Sequence, residues 1–109
     1  MFIVETKSYK KSLKKLDKYP KEQMHLEKIK RLIKNSKTFN DISNNPLSSL
    51  YNFEKLKHFK GDYYSFNLGK NKGVIRLLVE EKEVYCYFLF ISYKHYKDFD
   101  IKKVIYYDE

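Results

Sequence analysis

Apolar residues recur with a helical period in the first third of the chain. Residues 2–5 form a short β-branched run that predicts a strand. An apolar stripe at helical spacing then predicts a helix that ends at about Lys18. Pro20 suits the first turn of a second helix, whose apolar face extends to about Asn35. Two short helices in succession indicate an antiparallel helical hairpin.

The pattern changes in the middle of the chain. Ser36–Ser49 is rich in Asn, Ser and Asp and contains a proline, so it predicts a loop. Residues 50–56 carry spaced apolar side chains and predict a short helical or irregular segment. From Asp62 onward apolar and polar residues alternate, which is typical of a strand with one buried face.

Turns and apolar runs then predict a series of antiparallel strands. Gly69–Gly73 reads as a hairpin turn, and Val74–Val79 as the strand that follows it. A second turn is predicted at Glu80–Glu83. Val84–Ser92 is almost wholly apolar and is therefore placed centrally in the sheet. Ile101–Tyr107 fits either a strand or a helix.

Length and composition turn these elements into a fold class. The chain has 109 residues, of which 42% are hydrophobic and 17% aromatic, enough for the core of one domain covering residues 1–109. The expected class is α+β, with an N-terminal strand and a helical hairpin packed on an antiparallel β-meander.

Charge gives the first indication of function. Lys and Arg number 23 against 14 Asp and Glu, for a net charge of +9. Such an excess attracts polyanions, nucleic acid in particular. The alternative is a lysine-rich but functionally neutral surface. Arg31 and Arg76 are the two arginines, and Arg76 stands out because it interrupts an apolar run.

Cysteine usage and hydropathy limit the other classes. The single cysteine, Cys86, excludes an internal disulfide and a cysteine-based zinc site, and its apolar run places it in the core. No run approaches the ~20 apolar residues that span a bilayer. The first residues lack the features of a signal peptide, so a cytoplasmic location is expected.

The order of elements and several local patterns resemble the RelE/ParE superfamily of bacterial toxins. The opening resembles that family's first strand and basic amphipathic helix, in the residues FIVETKSYKKSLKKL. Its sheet signature resembles the segment NPLSSLYNFEKLKHFKGDYYSFNLGKNKGVIRLLVEEKEVYCYFLF. The likeness extends to about Phe99 and lies in the conjunction of order, spacing and charge.

The resemblance implies a RelE-like microbial RNase fold and a toxin of a toxin-antitoxin system. Members of the RelE branch cleave mRNA on the ribosome without metal, and we expect an endoribonuclease of this kind that inhibits translation. The implied partners are mRNA, the ribosome and a cognate antitoxin, with no membrane, metal or small-molecule cofactor. Two alternatives stay open: a ParE-like toxin that inhibits gyrase without its own chemistry, and a non-catalytic RNA-binding relative.

Arg76 is the first candidate site residue. Metal-free RNA cleavage needs a base, an acid and a cation that stabilises the charged transition state. Arg76 lies where the resemblance implies a phosphate-binding arginine, and its planar guanidinium suits a phosphate. The alternative is an exposed strand arginine that pairs with Glu80 or Glu81.

Candidate proton-transfer and stacking groups follow the last predicted strand. A histidine can serve as base or acid near neutral pH, so His95 or Tyr96 is the expected catalytic group for proton transfer. Tyr93 and Phe99 are expected to contact RNA by stacking on unpaired bases. Phe99 replaces the tyrosine that the resemblance implies and cannot transfer a proton. The alternative for His95 is an ordinary surface histidine.

Lysines complete the predicted RNA-binding set. RelE has lysines on the strand before the hairpin, whereas this chain has Ser65 and Asn67 at the matching positions. Positive charge is instead expected from the loop residues Lys60, Lys70 and Lys72. Each of these lysines taken alone is equally typical of a solvated surface.

Overall fold

Five strands form one mixed sheet, and the helices cover one of its faces. The computed structural model describes residues 1–57, 59–69, 74–93 and 101–107, with the backbone alone at Ile101. The first elements are β1 (Phe2–Glu5), α1 (Lys7–Leu13), a 3₁₀ turn (Lys14–Lys18), α2 (Pro20–Lys34), α3 (Phe39–Asn44) and α4 (Pro46–Leu50). They are followed by β2 (Glu54–Lys55), β3 (Tyr63–Asn67), β4 (Arg76–Lys82), β5 (Tyr85–Ser92) and a 3₁₀ turn (Ile101–Lys103).

The sheet order is β1-β5-β4-β3-β2, so the first strand of the chain lies at one edge of the sheet, next to the last strand. Strands β2 to β5 pair antiparallel, and β1 pairs parallel with β5. The α+β class, the antiparallel meander and the central position of the last strand are therefore confirmed. Because β1 pairs in parallel with β5, the N-terminal strand belongs to the same sheet as the meander, and the sheet is mixed.

Local capping explains where the first helices begin. Thr6 accepts a hydrogen bond from the backbone N–H of Tyr9, which caps α1. The same hydroxyl donates to the carbonyl of Phe88 at 2.7 Å, which ties the start of α1 to β5. Pro20 stands in the first turn of α2, as its fixed φ angle favours.

The loop predicted for Ser36–Ser49 is wrong, because this segment contains the two short helices α3 and α4. Thr38 and Asp41 form a reciprocal capping box at the start of α3. Asn45 caps α4 through its side chain, and Pro46 follows in the first turn. Three polar residues of this segment, Thr38, Asp41 and Asn45, thus serve as helix caps.

The turn predicted at Glu80–Glu83 is also wrong, because β4 continues to Lys82. Lys82 is in register with Tyr85, which leaves Glu83 and Val84 to form the turn. Glu83 adopts a positive φ of 55°, as a tight two-residue connection requires. The acidic run is thus mostly strand.

Strand alternation gives the sheet two chemically different faces. The helix-side face packs against α1, α2 and α3 and includes Phe66, Leu77, Val79, Cys86, Phe88 and Ile91. The tail-side face carries a smaller cluster of Leu56, Tyr63, Leu78 and Leu89, against which Val104 and Tyr106 pack. Cys86 is buried, as predicted. No helix in the described ranges is long and apolar enough to cross a membrane.

Candidate nucleic-acid interface

A row of polar side chains crosses three strands of the tail-side face. Arg76 is in register with Asn67 on β3 and with Ser92 on β5. Their sequence neighbours Phe66, Leu77 and Ile91 belong to the helix-side cluster, so alternation directs all three polar side chains to the tail side. Arg76, Asn67 and Ser92 are referred to below as the polar row.

The polar row is largely removed from solvent. Asn67 and Ser92 are buried, and so is the neighbouring Ser65 on β3. The Asn67 side chain accepts a hydrogen bond from the backbone N–H of Gly69 at 3.0 Å. Arg76 is half-buried, and its Nη1 atom is inaccessible to solvent. A guanidinium held in this way has few rotamers left to lose when it binds a phosphate.

The sequence suggested Glu80 and Glu81 as ion-pair partners of Arg76, but both carboxylates interact with other groups. Glu81 accepts a hydrogen bond from the Tyr64 hydroxyl at 3.2 Å, on the helix-side face. Glu80 shares the tail-side face with Arg76 but lies four residues further along the strand, roughly 13 Å at the usual rise. The alternative in which Arg76 serves to pair with these glutamates therefore loses support.

Glu80 instead is the centre of a tyrosine cluster that the sequence did not predict. The Tyr106 hydroxyl donates to Oε1 of Glu80 at 2.9 Å, and Nζ of Lys82 lies 3.7 Å from the same atom. Burial, followed by this hydrogen bond, raises the pKa of Tyr106 well above its ordinary value. Burial and then Glu80 likewise raise the pKa of Tyr63. Both hydroxyls are protonated at neutral pH, as tyrosines ordinarily are, and that of Tyr106 donates to Glu80.

Lys82 joins this cluster through two aromatic rings. Its ammonium lies 5.1 Å from the ring centroid of Tyr87 and 5.0 Å from that of Tyr106. These distances are within the range of cation–π attraction. Together with Glu80, the three side chains hold the C-terminal segment on the sheet.

Tyr93 lies on the α1 side of the sheet. Its hydroxyl donates to the carbonyl of Ser12 at 2.7 Å, and Lys15 lies 5.8 Å from its ring centroid. Burial raises the pKa of Tyr93 to about 12, so this tyrosine is a poor proton donor near neutral pH. The ring borders a groove of about 360 Å³ that is also lined by Lys11 and Lys15. The ring also lies 5.9 Å from that of Tyr19.

The predicted lysines fall into two groups. Lys60 is exposed on the connection between β2 and β3. A denser set of exposed lysines lies along α1 and the 3₁₀ turn after it, at Lys7, Lys10, Lys11, Lys14, Lys15 and Lys18. Asp17 is exposed among them. This lysine row is the strongest local positive charge that the sequence places on one short segment.

Several predicted positions lie outside the described residues: His95, Tyr96, Phe99, Lys70 and Lys72. His25 is buried in the helical layer, where Nδ1 makes a close contact with the carbonyl of Leu68. Of the predicted catalytic residues, the structure thus positions Arg76.

Across residues 1–57, 59–69, 74–93 and 101–107, no group of three or more His, Cys, Asp or Glu side chains could hold a metal ion. Comparisons with protein-family models, curated proteins and solved structures found no match to this chain.

Proposed function

We propose that the chain is a toxin of the RelE type, a metal-free endoribonuclease that acts on mRNA at the ribosome in the cytoplasm. The polar row carries this proposal. A half-buried arginine between Asn67 and Ser92 forms a polar strip on a sheet whose opposite face packs an apolar core against the helices. The planar guanidinium fork of this arginine is suited to a phosphodiester, which accepts two parallel hydrogen bonds.

The chemistry follows from the needs of the reaction. A base removes the proton of a 2′-hydroxyl, whose oxygen attacks the adjacent phosphorus, while an acid protonates the departing 5′ oxygen. Arg76 would stabilise the negative charge that builds on the phosphate oxygens. His95 and Tyr96 are the proposed proton-transfer groups. Tyr93 would stack on a base rather than transfer a proton, since its pKa is raised to about 12.

The lysine row supports the part of the proposal that concerns binding to RNA. Its exposed ammonium groups present a concentrated positive surface next to the groove that Tyr93 borders. Contacts of this kind with phosphates supply affinity that depends steeply on salt. We propose that this row contacts ribosomal RNA, and that a cognate antitoxin neutralises the protein. The α+β architecture is compatible with the fold that the resemblance implies.

The test is to induce the protein briefly in cells and map new mRNA 5′ ends. We expect cuts within translated codons that are lost in Arg76→Ala and in His95→Ala, with a fall of roughly 100-fold or more for the arginine. Arg31→Ala is the matched control, because it removes the same charge from an exposed position on α2. Its cleavage pattern should equal that of the unchanged protein. Thermal unfolding of each purified variant verifies that it is folded.

Two other outcomes would contradict the nuclease proposal. Growth arrest with intact mRNA would favour a gyrase inhibitor, and DNA breaks would be the next measurement. RNA binding with a steep salt dependence but without strand scission would favour the non-catalytic relative. Loss of cleavage in Arg31→Ala to the same extent as in Arg76→Ala would show that net charge matters and the polar row does not.

A further inference from the structure

The outer edge of β1 borders a groove that no described segment fills. In the described part of the chain, β1 pairs with β5 and with no other strand. A groove of about 470 Å³ runs between this edge and α2, lined by Met1, Phe2, Ile3, Glu5, Lys30 and Lys34. An unpaired strand edge beside an open groove is the usual template for strand addition by another chain.

The backbone of β1 offers hydrogen-bonding groups to this groove. The N–H of Phe2 donates to Val84 at 3.0 Å, and that of Thr6 donates to Phe88 at 3.2 Å. Alternation in a parallel pair therefore turns the N–H and C=O groups of Ile3 and Glu5 outward, away from β5. An extended peptide alongside β1 could bond to both residues.

The side chains around the edge have different chemistry on the two sides of the sheet. On the tail side, Phe2 is 66% exposed and its ring lies 5.9 Å from that of Tyr85. On the helix side, Lys30 lies 3.9 Å from Glu5, and Lys34 is exposed one turn further along α2. A strand added here would place alternate side chains beside aromatic rings and the others beside ammonium groups.

We infer that this edge binds an extended, acidic segment of a partner protein in which apolar and acidic residues alternate. The apolar residues would cover Phe2 and Tyr85, and the carboxylates would face Lys30 and Lys34. Charge complementarity selects an acidic partner, since two lysines line the groove against one glutamate and the chain carries +9. The inference goes beyond the RNA chemistry proposed above and uses none of the residues of the polar row.

A labelled synthetic peptide tests the inference without RNA. The probe is a short end-blocked peptide of alternating valine and glutamate, and its binding is measured by fluorescence anisotropy. Two N-methylated forms are compared with it, each modified on every second residue. We expect one form to bind like the parent and the other to lose binding, because one edge of the peptide faces β1 and the other faces solvent.

A pair of charge reversals tests the contribution of the groove. Lys34→Glu should weaken peptide binding roughly 3- to 10-fold, as expected for reversal of one solvent-accessible ion pair. Lys28→Glu is the matched control, because Lys28 is exposed on the same helix but does not line the groove. It should leave the affinity unchanged.

Three results would overturn the inference. They are equal binding of both N-methylated peptides, equal weakening by both lysine variants, and self-association of the chain that the peptide does not displace. Mapping of mRNA ends is a separate measurement. The peptide site can therefore fail while the nuclease proposal stands, and the reverse also holds.

Discussion

The two faces of the sheet use the same strands for opposite purposes. On the helix-side face, the side chains of β3, β4 and β5 at Phe66, Leu77, Val79, Phe88 and Ile91 are fully buried and apolar. On the tail-side face, the intervening positions carry Tyr63, Ser65, Asn67, Arg76 and Glu80. One residue of displacement along a strand thus separates the core of the protein from its candidate chemistry.

The difference shows how the fold can keep polar groups in a buried position. Apolar side chains on the helix-side face contribute stability roughly in proportion to the area they remove from water. Polar groups on the tail-side face need partners, because an unsatisfied buried group costs about 1 to 3 kcal/mol. Glu80 has such partners in Tyr106 and Lys82. The first face would therefore set global stability, and the second would set local order and function.

The largest expected effect is at Phe88, whose ring is fully buried and packs edge-on against Tyr9 at 5.2 Å. Phe88→Ala should lower the free energy of unfolding by about 3 to 5 kcal/mol, because it leaves a cavity in the core. Phe90→Ala is the matched comparison on the same strand and the opposite face. Phe90 is half-buried, and we expect a loss of about 1 to 2 kcal/mol. Urea denaturation followed by circular dichroism measures both.

Equal losses in the two phenylalanine variants would contradict the distinction between the faces. A larger loss at Phe90 would reverse it and would make the tail-side cluster the main core. In either case the C-terminal segment, which supplies Val104 and Tyr106 to that cluster, would become a principal source of stability.

A smaller effect is expected from the hydroxyl of Tyr106. Tyr106→Phe removes the hydrogen bond to Glu80 and leaves a buried carboxylate with one partner fewer. The free energy of unfolding should fall by about 1 to 2 kcal/mol. Tyr107→Phe is the control, since Tyr107 is 63% exposed and its hydroxyl meets that of Tyr87 at 3.3 Å. A change near zero is expected there, and equal changes in both variants would argue against a role for the Glu80 network.

Much of the fold could be predicted from the sequence because the spacing of apolar residues along the chain is a local property. The alternation after Asp62 predicted the strand Tyr63–Asn67, and the apolar run Val84–Ser92 predicted the interior strand β5. The expectation of a single buried face was wrong for the first of these strands, because Ser65 and Asn67 are buried as well as Phe66. The segment Ser36–Ser49 was misread because capping residues and loop residues are chemically the same. The parallel pairing of β1 with β5 joins residues more than 80 positions apart, and no local pattern contains it.

The candidate site shows the same limit. Arg76 could be chosen as a candidate because a charge in an apolar run is visible without any knowledge of the fold. The place of Glu80 in the tyrosine cluster could not be predicted, because its partner Tyr106 is 26 positions away in the sequence. The residues next to Glu80 predicted an acidic turn instead. The alternation of Val104 and Tyr106 with Ile105 and Tyr107 was the available indication, and it points to one buried side of the C-terminal segment.

The smallest expected effect concerns Tyr64, which lies on the helix-side face. Burial, and then the nearby Glu81 carboxylate, raises the pKa of Tyr64 from 10.0 to about 12. The folded protein therefore holds this proton more tightly than the unfolded chain does, and the group's contribution is complete below pH 10. It is lost as the pH rises from 10 to about 12, so the free energy of unfolding should decline over that window.

Tyr64→Phe should flatten this decline, because phenylalanine has no proton to lose. Urea midpoints at closely spaced alkaline pH values measure the slope, with Tyr107→Phe as the exposed control on the tail-side face. A slope that is the same in the unchanged protein and in Tyr64→Phe would show that ionisation of this hydroxyl is not linked to folding. A flatter slope for Tyr107→Phe than for Tyr64→Phe would place the linkage on the tail-side face. The contrast between the two faces would then hold for packing but not for proton binding.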